Sequence, residues 1–306
     1  MEKIHKPVLL DKTIKYLNIN PDGFYIDCTL GDGGHSYEVF KRLNSDGLLL
    51  SLDQDRYAIQ FVKDYYKDDI KDNWQIRKAN FSKIDIVLEE YDRRPDGIVM
   101  DLGLSSRQIE KSHQRGFSYR EENDPLDMRM DTELNVTAKD LLAGLRENEL
   151  AYLFTKYGEE RYAKRIAREI KENITDINTV GDLTRLVYRV VPAAHQSSKN
   201  PSRRVFQALR IAVNDEINAL KTGLDKSFKL LQPKGRICVI SFHSLEDRVV
   251  KEFFNKLVSG EKGLLLSQDI IAPTEKEMKS NPRATSAKLR VIEKKEQLSN
   301  EKETEK

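Results

Sequence analysis

The run Asp27-Cys28-Thr29-Leu30-Gly31-Asp32-Gly33-Gly34-His35-Ser36 leads from an apolar, strand-like segment into a helical pattern. Glycines in such a turn let a ligand approach the backbone, and in an open α/β sheet the turn lies at the carboxyl edge, where ligands bind. A nucleotide-containing cofactor follows. The dinucleotide fingerprint asks for a third glycine or alanine where this chain has Ser36, and the Gly-Lys-Ser/Thr ending of a P-loop is absent, so NAD and ATP are disfavoured. Asp53, about 20 residues beyond the turn at the end of a second apolar segment, is placed to accept ribose hydroxyl hydrogens. Asp27, Asp32, Asp53 and Asp101 gather carboxylates around one sheet edge. They would repel a pyrophosphate but tolerate a sulfonium carrying an α-amino group, and S-adenosylmethionine is the cofactor that fits. The plain alternative for the glycines is an ordinary tight turn, against which Asp53 weighs.

Four β-branched or apolar segments, at 24–30, 48–52, 74–79 and 97–101, are separated by 3.6-periodic stretches at 36–43, 56–66 and 83–91. This alternation predicts βαβ units and a doubly wound, mostly parallel sheet of Rossmann-like type. After Asp101 about 110 residues pass with helical periodicity and no convincing buried strand. A fifth strand at 236–242 follows a helical stretch at 214–231, with two more candidates at 264–271 and 288–293. The expected organisation is an α/β domain built from 1–105 and 214–296, an inserted helical substrate-recognition domain at 106–213, and a disordered charged tail at 297–306.

The 306 residues carry a net charge of +2, with 33% charged and 39% hydrophobic residues, a highly charged globular composition. Apolar runs such as Ile237-Cys238-Val239-Ile240 fall far short of the ~20 residues a bilayer requires, and no signal-peptide core opens the sequence. Two cysteines, Cys28 and Cys238, stand apart in apolar runs, which excludes disulfide and zinc-knuckle frameworks and fits a reducing, cytoplasmic setting. Between Arg161 and Arg210, eleven basic residues face four acidic ones, a local charge of +7 in a chain whose remainder is acidic. A module meeting a polyanion would look like this, and so would a solvated helical surface.

Several residues admit a sharp and a bland reading. His243, just after the fifth strand, is a catalytic candidate, yet Ser244 with Asp247 makes a helix N-cap pattern beside it. The histidines at 5, 35, 113, 195 and 243 show no metal-ligand spacing, and no metal is expected. Asn200-Pro201 opens a helix on which Arg203, Gln207, Arg210 and Asn214 share a face, fitted to read phosphate or to clamp the insertion. Gly158-Glu159-Glu160 reads as acidic residues opening a helix rather than as catalytic carboxylates.

Across nearly the whole chain, to about Arg290, ordered motifs resemble the bacterial ribosomal RNA small subunit methyltransferase H family, also called MraW. They are His5-Lys6-Pro7-Val8-Leu9-Leu10, the 31–36 loop, Asp101-Leu102-Gly103-Leu104-Ser105-Ser106, Arg115-Gly116-Phe117-Ser118, Pro125-Leu126-Asp127-Met128-Arg129-Met130, Phe206-Gln207-Ala208-Leu209-Arg210-Ile211, Ser241-Phe242-His243-Ser244-Leu245-Glu246-Asp247-Arg248 and Asn281-Pro282-Arg283. The resemblance implies S-adenosylmethionine-dependent N4-methylation of a cytidine in the decoding region of 16S rRNA, in the cytoplasm. It places cofactor contacts on Gly33, Gly34, His35, Asp53, Phe81, Asp101 and Gln108. The expected substrate contacts are Arg203, Arg204, Gln207, Arg210 and Arg283. Thr285, Arg107 and Lys12 depart from the family's pattern.

Two other functions compete: a methyltransferase of another substrate class, which has no use for the basic island, and a non-catalytic rRNA-binding assembly factor with a vestigial cofactor site, which Asp53 and Asp101 argue against. The segment after strand four lacks the Asp/Asn/Ser-Pro-Pro-Tyr/Phe pattern of many amino-methyltransferases, so Asp101 is the expected amine-orienting group and the base-stacking ring must be Phe117, Tyr119 or Phe242.

Overall fold

The computed structural model describes residues 6–110, 114–196 and 200–296. His5, His113, Lys199 and the 297–306 tail, for which disorder was expected, lie outside the described residues. The chain divides into two compact units, one formed by the residues up to Gly103 together with those from Ala219 onward, the other by Leu104–Asn218.

In the first unit seven strands form one sheet: β1 Phe24–Asp27, β2 Leu48–Asp53, β3 Trp74–Lys78, β4 Gly97–Asp101, β5 Arg236–Ser241, β6 Gly263–Leu265 and β7 Lys288–Lys294. Their order is β3-β2-β1-β4-β5-β7-β6. Strands β1 to β5 pair in parallel, whereas β7 runs antiparallel to both β5 and β6. All four residues of β1 and the first four of β4 are buried, because helices cover both faces of a parallel sheet and neither face can be polar. The strand order reverses between β1 and β4, and the carboxyl edge at that switch point is where α/β sheets bind ligands. Asp27, Asp53 and Asp101 are the last residues of β1, β2 and β4.

Some elements are shorter than their patterns. The 24–30 strand stops at Asp27, since Gly31 and Gly33 take φ of 52° and 82° and turn the chain out of the ladder, although the Cys28 and Leu30 amides still donate to the Val99 and Leu52 carbonyls. The 264–271 strand shrinks to Gly263–Leu265: the Ser267 hydroxyl donates to the Asp269 carbonyl at 2.6 Å in a local turn, and Ile271 regains the sheet only as a bridge to Leu289. The 83–91 helix begins as a 3-10 turn, Phe81–Lys83, continuing as Ile84–Leu88.

The second unit is helical, with Ala138–Gly144, Glu147–Gly158, Ala163–Glu172, Val180–Val190 and Ser202–Val213 burying Leu150, Phe154, Ile166, Ile170, Leu183, Val187, Val205 and Leu209 against one another. Two of these helices open on reciprocal caps, Thr137 with Asp140 and Thr179 with Asp182, which satisfy amides that have no partner within the helix. Among the described residues its one strand-like pairing is a bridge between Pro125 and Thr179. The irregular stretch before the helices is held by Asn214, whose Nδ2 donates to the Met128 carbonyl and whose Oδ1 accepts from the Met130 amide, both at 2.7 Å.

Candidate active site

The glycine-rich turn is fixed from below by a chain of buried polar contacts. Trp74 Nε1–H donates to Ser51 Oγ (3.0 Å), Ser51 and Ser36 hydroxyls lie 2.8 Å apart, and Ser36 donates to Asp27 Oδ2 (2.7 Å). Asp27 Oδ1 accepts from the Thr29 amide at 3.0 Å, and Thr29 Oγ1 in turn accepts from the Asp101 amide at 2.7 Å. Four strands and the turn are thereby held in one register, since a buried hydroxyl or carboxylate left without these partners would cost about 1 to 3 kcal/mol. Ser36, where the dinucleotide pattern fails, anchors Asp27 instead of opening room for a pyrophosphate.

Asp53 accepts from the Gly31 amide (2.9 Å) and the Asp55 amide (2.8 Å). Burial, with the charges of Asp55 and Asp27 adding to it, raises its carboxyl to about 7 despite those two amides. A carboxylate tied to the glycine turn in this way faces the ligand edge with its remaining lone pairs, as ribose recognition requires.

Asp101 keeps a quarter of its side chain accessible, yet dense surroundings, then the charges of Asp27 and Glu246, hold its carboxyl well above the usual carboxylate range. Its Oδ1 is buried without a hydrogen-bond partner, and its Oδ2 lies 3.5 Å from His35 Nδ1. His35 is 5% exposed, and its Nε2 is 3.2 Å from the Val8 carbonyl, so Nε2 carries the proton and Nδ1 turns its lone pair to Asp101. Burial pulls this imidazole below its ordinary range, against the opposing charge of Asp27 and the Val8 carbonyl. The segment carrying Val8 packs closely here: a Cβ on Gly34 would overlap Pro7 Cγ. The Leu9 amide, in a residue with φ of 54°, donates to Glu277 Oε1 at 2.6 Å.

Phe81 opens the 3-10 turn after β3, and a Cβ on Gly223 would sit 2.5 Å from its Cδ2, so the helix Glu216–Leu230 backs the ring. Gln108 belongs to the helical unit, where its Oε1 accepts from the Ser105 amide and its own amide donates to Ser105 Oγ. A carboxylate-lined edge with an unpartnered Asp101 oxygen and a half-buried Asp53 suits a cationic ligand bearing ribose hydroxyls and an amine, which is the donor set S-adenosylmethionine presents.

His243 proves to be the helix cap. Its Nδ1 accepts from the Glu246 amide (3.3 Å), while Glu246 Oε2 accepts from the Phe242 amide (2.9 Å), which starts Ser244–Ser259 one residue earlier than the Ser244 and Asp247 pattern suggested. Asp247 instead takes Lys288 at 3.0 Å and Arg290 at 2.7 Å. Glu159 and Glu160 do not open a helix: Glu159 is the left-handed C-cap of Glu147–Gly158, and buried Glu160 accepts from the Tyr162 amide. Of the three stacking candidates, Phe117 is 8% exposed in the helical core and Tyr119 packs edge-on against Phe206. Phe242 is half-buried at the sheet edge, 3.8 Å from where a Cβ on Gly103 (φ 94°) would lie.

The predicted phosphate face divides. Arg203 and Arg204 are exposed, but Gln207 donates to the Tyr157 carbonyl, and Arg210 is locked bidentately to Glu216 at 2.7 and 2.8 Å with both side chains largely buried. Arg210 is therefore corrected to a structural residue, because its donors are engaged inside the unit. Arg283 lies half-buried in the 3-10 turn Pro282–Ser286 of the first unit, where Thr285 closes the turn on the Pro282 carbonyl. Sequence reasoning missed Thr29, Ser51 and Trp74, none of which carries a local pattern that marks it, and Glu246, whose place three residues after His243 could have marked it.

Sheet order, the antiparallel seventh strand and the acidic carboxyl edge define a Rossmann-like α/β methyltransferase fold. The sequence profile of the MraW methylase family matches residues 2–295, and the chain belongs to that family. It is 42% identical to ribosomal RNA small subunit methyltransferase H 2 of Agathobacter rectalis, over 96% of this chain and 99% of that protein. Identity is 44% to ribosomal RNA small subunit methyltransferase H of Caldicellulosiruptor saccharolyticus, over 95% and 99%. The protein of the same name from Acetivibrio thermocellus is 43% identical over 96% and 100%.

Proposed function

We propose that this protein is an S-adenosylmethionine-dependent methyltransferase acting on the exocyclic N4 of a cytidine in the decoding region of 16S rRNA, within the small ribosomal subunit. The observation that carries the reading is Asp101: a carboxyl at the switch point, raised well above its usual range, with one oxygen unpartnered. Family membership and the names of its relatives support the rRNA substrate. Among the described residues no helix is long and apolar enough to cross a membrane.

Gly33, Gly34, His35, Asp53 and Phe81 hold the cofactor on the α/β unit, and Gln108 is the cofactor contact that the family resemblance adds. When bound, S-adenosylmethionine supplies an electrophilic methyl on a sulfonium. The cytosine amine is a poor nucleophile because its lone pair is delocalised into the ring. Asp101, by accepting one amine hydrogen, favours the pyramidal and more nucleophilic geometry, and the proton released by the product leaves to Asp101 or to water. No covalent enzyme intermediate is required, and both cysteines are buried, Cys238 with its thiol raised to about 12. Phe242 supplies the stacking ring and His243 holds the start of its helix. Exposed Arg203 and Arg204 meet phosphate.

The test is incubation with labelled S-adenosylmethionine and small subunits, naked rRNA or DNA, followed by mapping of the modified nucleotide. A single N4-methylcytidine in the decoding region, dependent on RNA, is expected. Label on DNA, protein or a small molecule alone would overturn the substrate assignment.

A further inference from the structure

Cations on the helices of the second unit differ in what partners them. Arg168, Arg185, Arg189 and Arg210 each lie within 4.0 Å of a carboxylate, respectively on Glu147, on Glu122 and Asp182, on Glu169, and on Glu216. Lys156, Arg161, Arg165, Arg203 and Arg204 are all exposed and have no carboxylate partner among the described residues. The first three have tyrosine instead. Lys156 Nζ lies 5.3 Å from the ring centroid of Tyr152 and 5.1 Å from that of Tyr157, and the Arg161 and Arg165 guanidinium carbons lie 5.9 and 6.0 Å from that of Tyr162.

Tertiary packing joins these residues at one end of the unit. The helix Glu147–Gly158 ends there, and a Cβ on Gly158 would lie 2.6 Å from the Arg204 carbonyl, which brings the start of Ser202–Val213 against it. Gln207 reinforces the junction through the Tyr157 carbonyl, and the Tyr162 hydroxyl is bonded to His195 Nδ1. The acidic residues of the turn are Glu159, exposed at the cap, and Glu160, buried. Tyr152 is 61% exposed, the most exposed large hydrophobic side chain among the described residues.

Unpaired cations interleaved with accessible rings match what a single-stranded nucleic acid offers, with phosphates to neutralise and π-faces to stack. A duplex hides those faces, and an acidic peptide has none to offer. We propose that this end of the helical unit is a docking face for unpaired ribonucleotides of the substrate, with phosphates on Lys156, Arg165 and Arg204 and a base stacked on Tyr152. It rests on the rRNA reading above and assigns that reading a surface.

The experiment measures binding of a short labelled oligoadenylate to the full-length protein by fluorescence anisotropy across a salt series. A double variant, Lys156→Gln with Arg165→Gln, should flatten the slope of log affinity against log salt by about 1.4, at ~0.7 per phosphate contact on a single strand. Tyr152→Ser should weaken binding about tenfold with the slope unchanged, while Tyr152→Phe keeps wild-type affinity. Thermal melting and S-adenosylmethionine affinity should match wild type in all three, which separates a lost face from a lost fold. Unchanged affinity and slope in variants of a wild type that binds and methylates RNA would overturn the face and leave the rRNA reading standing. Wild-type protein that neither binds RNA nor methylates subunits would overturn both. Equal affinity for polyglutamate, insensitive to Tyr152, would reduce the surface to a generic anion patch and overturn the proposal.

Discussion

The two units use charge in opposite ways. At the carboxyl edge of the sheet, acidic groups crowd together in dense surroundings, with Asp53 raised to about 7 and Asp101 well above its usual range. At the end of the helical unit, basic groups stand exposed and the carboxylates that could pair them are occupied elsewhere. A buried charge without a partner is costly, so it persists only where a ligand or a proton compensates it, whereas an exposed cation costs little and can wait for a polyanion. The acidic edge is thus tuned for a small cationic ligand and the basic end for a large anionic one. Sign alone does not separate them from ordinary surface charge; burial and pairing do.

The largest effect expected lies within the helical unit. Arg210→Ala removes one partner of a mostly buried bidentate pair and should destabilise the protein by about 2 to 3 kcal/mol in denaturant titration, somewhat under the range for fully buried pairs. Its salt dependence of RNA binding should stay as in wild type. Arg204→Gln should do the reverse, leaving stability unchanged and lowering the salt slope by about 0.7. Equal behaviour of the two variants would erase the division between paired and unpaired cations.

Asp53→Ala tests the acidic edge. Loss of a charged acceptor for ribose hydroxyls should weaken S-adenosylmethionine binding by about 1.5 to 3 kcal/mol in calorimetry while the fold survives. Unaltered affinity in a folded variant would remove Asp53 from the cofactor site.

Asp101→Asn should retain most cofactor affinity yet slow single-turnover methylation at least about tenfold, or ~1.4 kcal/mol. A defect that disappears at saturating S-adenosylmethionine would make Asp101 a binding group only.

The smallest effect expected on cofactor binding is that of pH. Because the folded protein holds the Asp53 proton up to about 7, above the ordinary carboxylate range, ionising it opposes folding, and the apoprotein should lose stability as pH climbs toward 7. The cofactor prefers the ionised acceptor, so its affinity should rise a few-fold between pH 6 and 8. Asp53→Asn should flatten both trends, and a pH step that survives in that variant would belong to another group.

How much of this was legible depends on the range of the interaction. Parallel strands buried on both faces read as apolar runs, so β1, β2, β4 and β5 stood out from the chain, the edge strand β3 showed only alternating Trp74 and Ile76, and the turn glycines with Asp53 announced a ligand by spacing alone. Where local chemistry competed, boundaries moved: His243 took the cap because Glu246 three residues on closes the reciprocal bonds, and the 264–271 run lost its strand to a serine turn.

The sequence by itself determined the doubly wound sheet, the acidic residues at its strand ends and the concentration of positive charge between 161 and 210, since all three follow from periodicity and composition along the chain. Only the tertiary structure decided which charges are free. Pro7 and Val8 reach Gly34 and His35 across the fold, Ser36 meets Ser51 and Asp27, and Arg210 finds Glu216 while Arg204 finds no carboxylate among the described residues. Whether an ionisable group is available to a ligand depends on desolvation and on partners brought from distant segments, and neither quantity is encoded in the spacing of its neighbours.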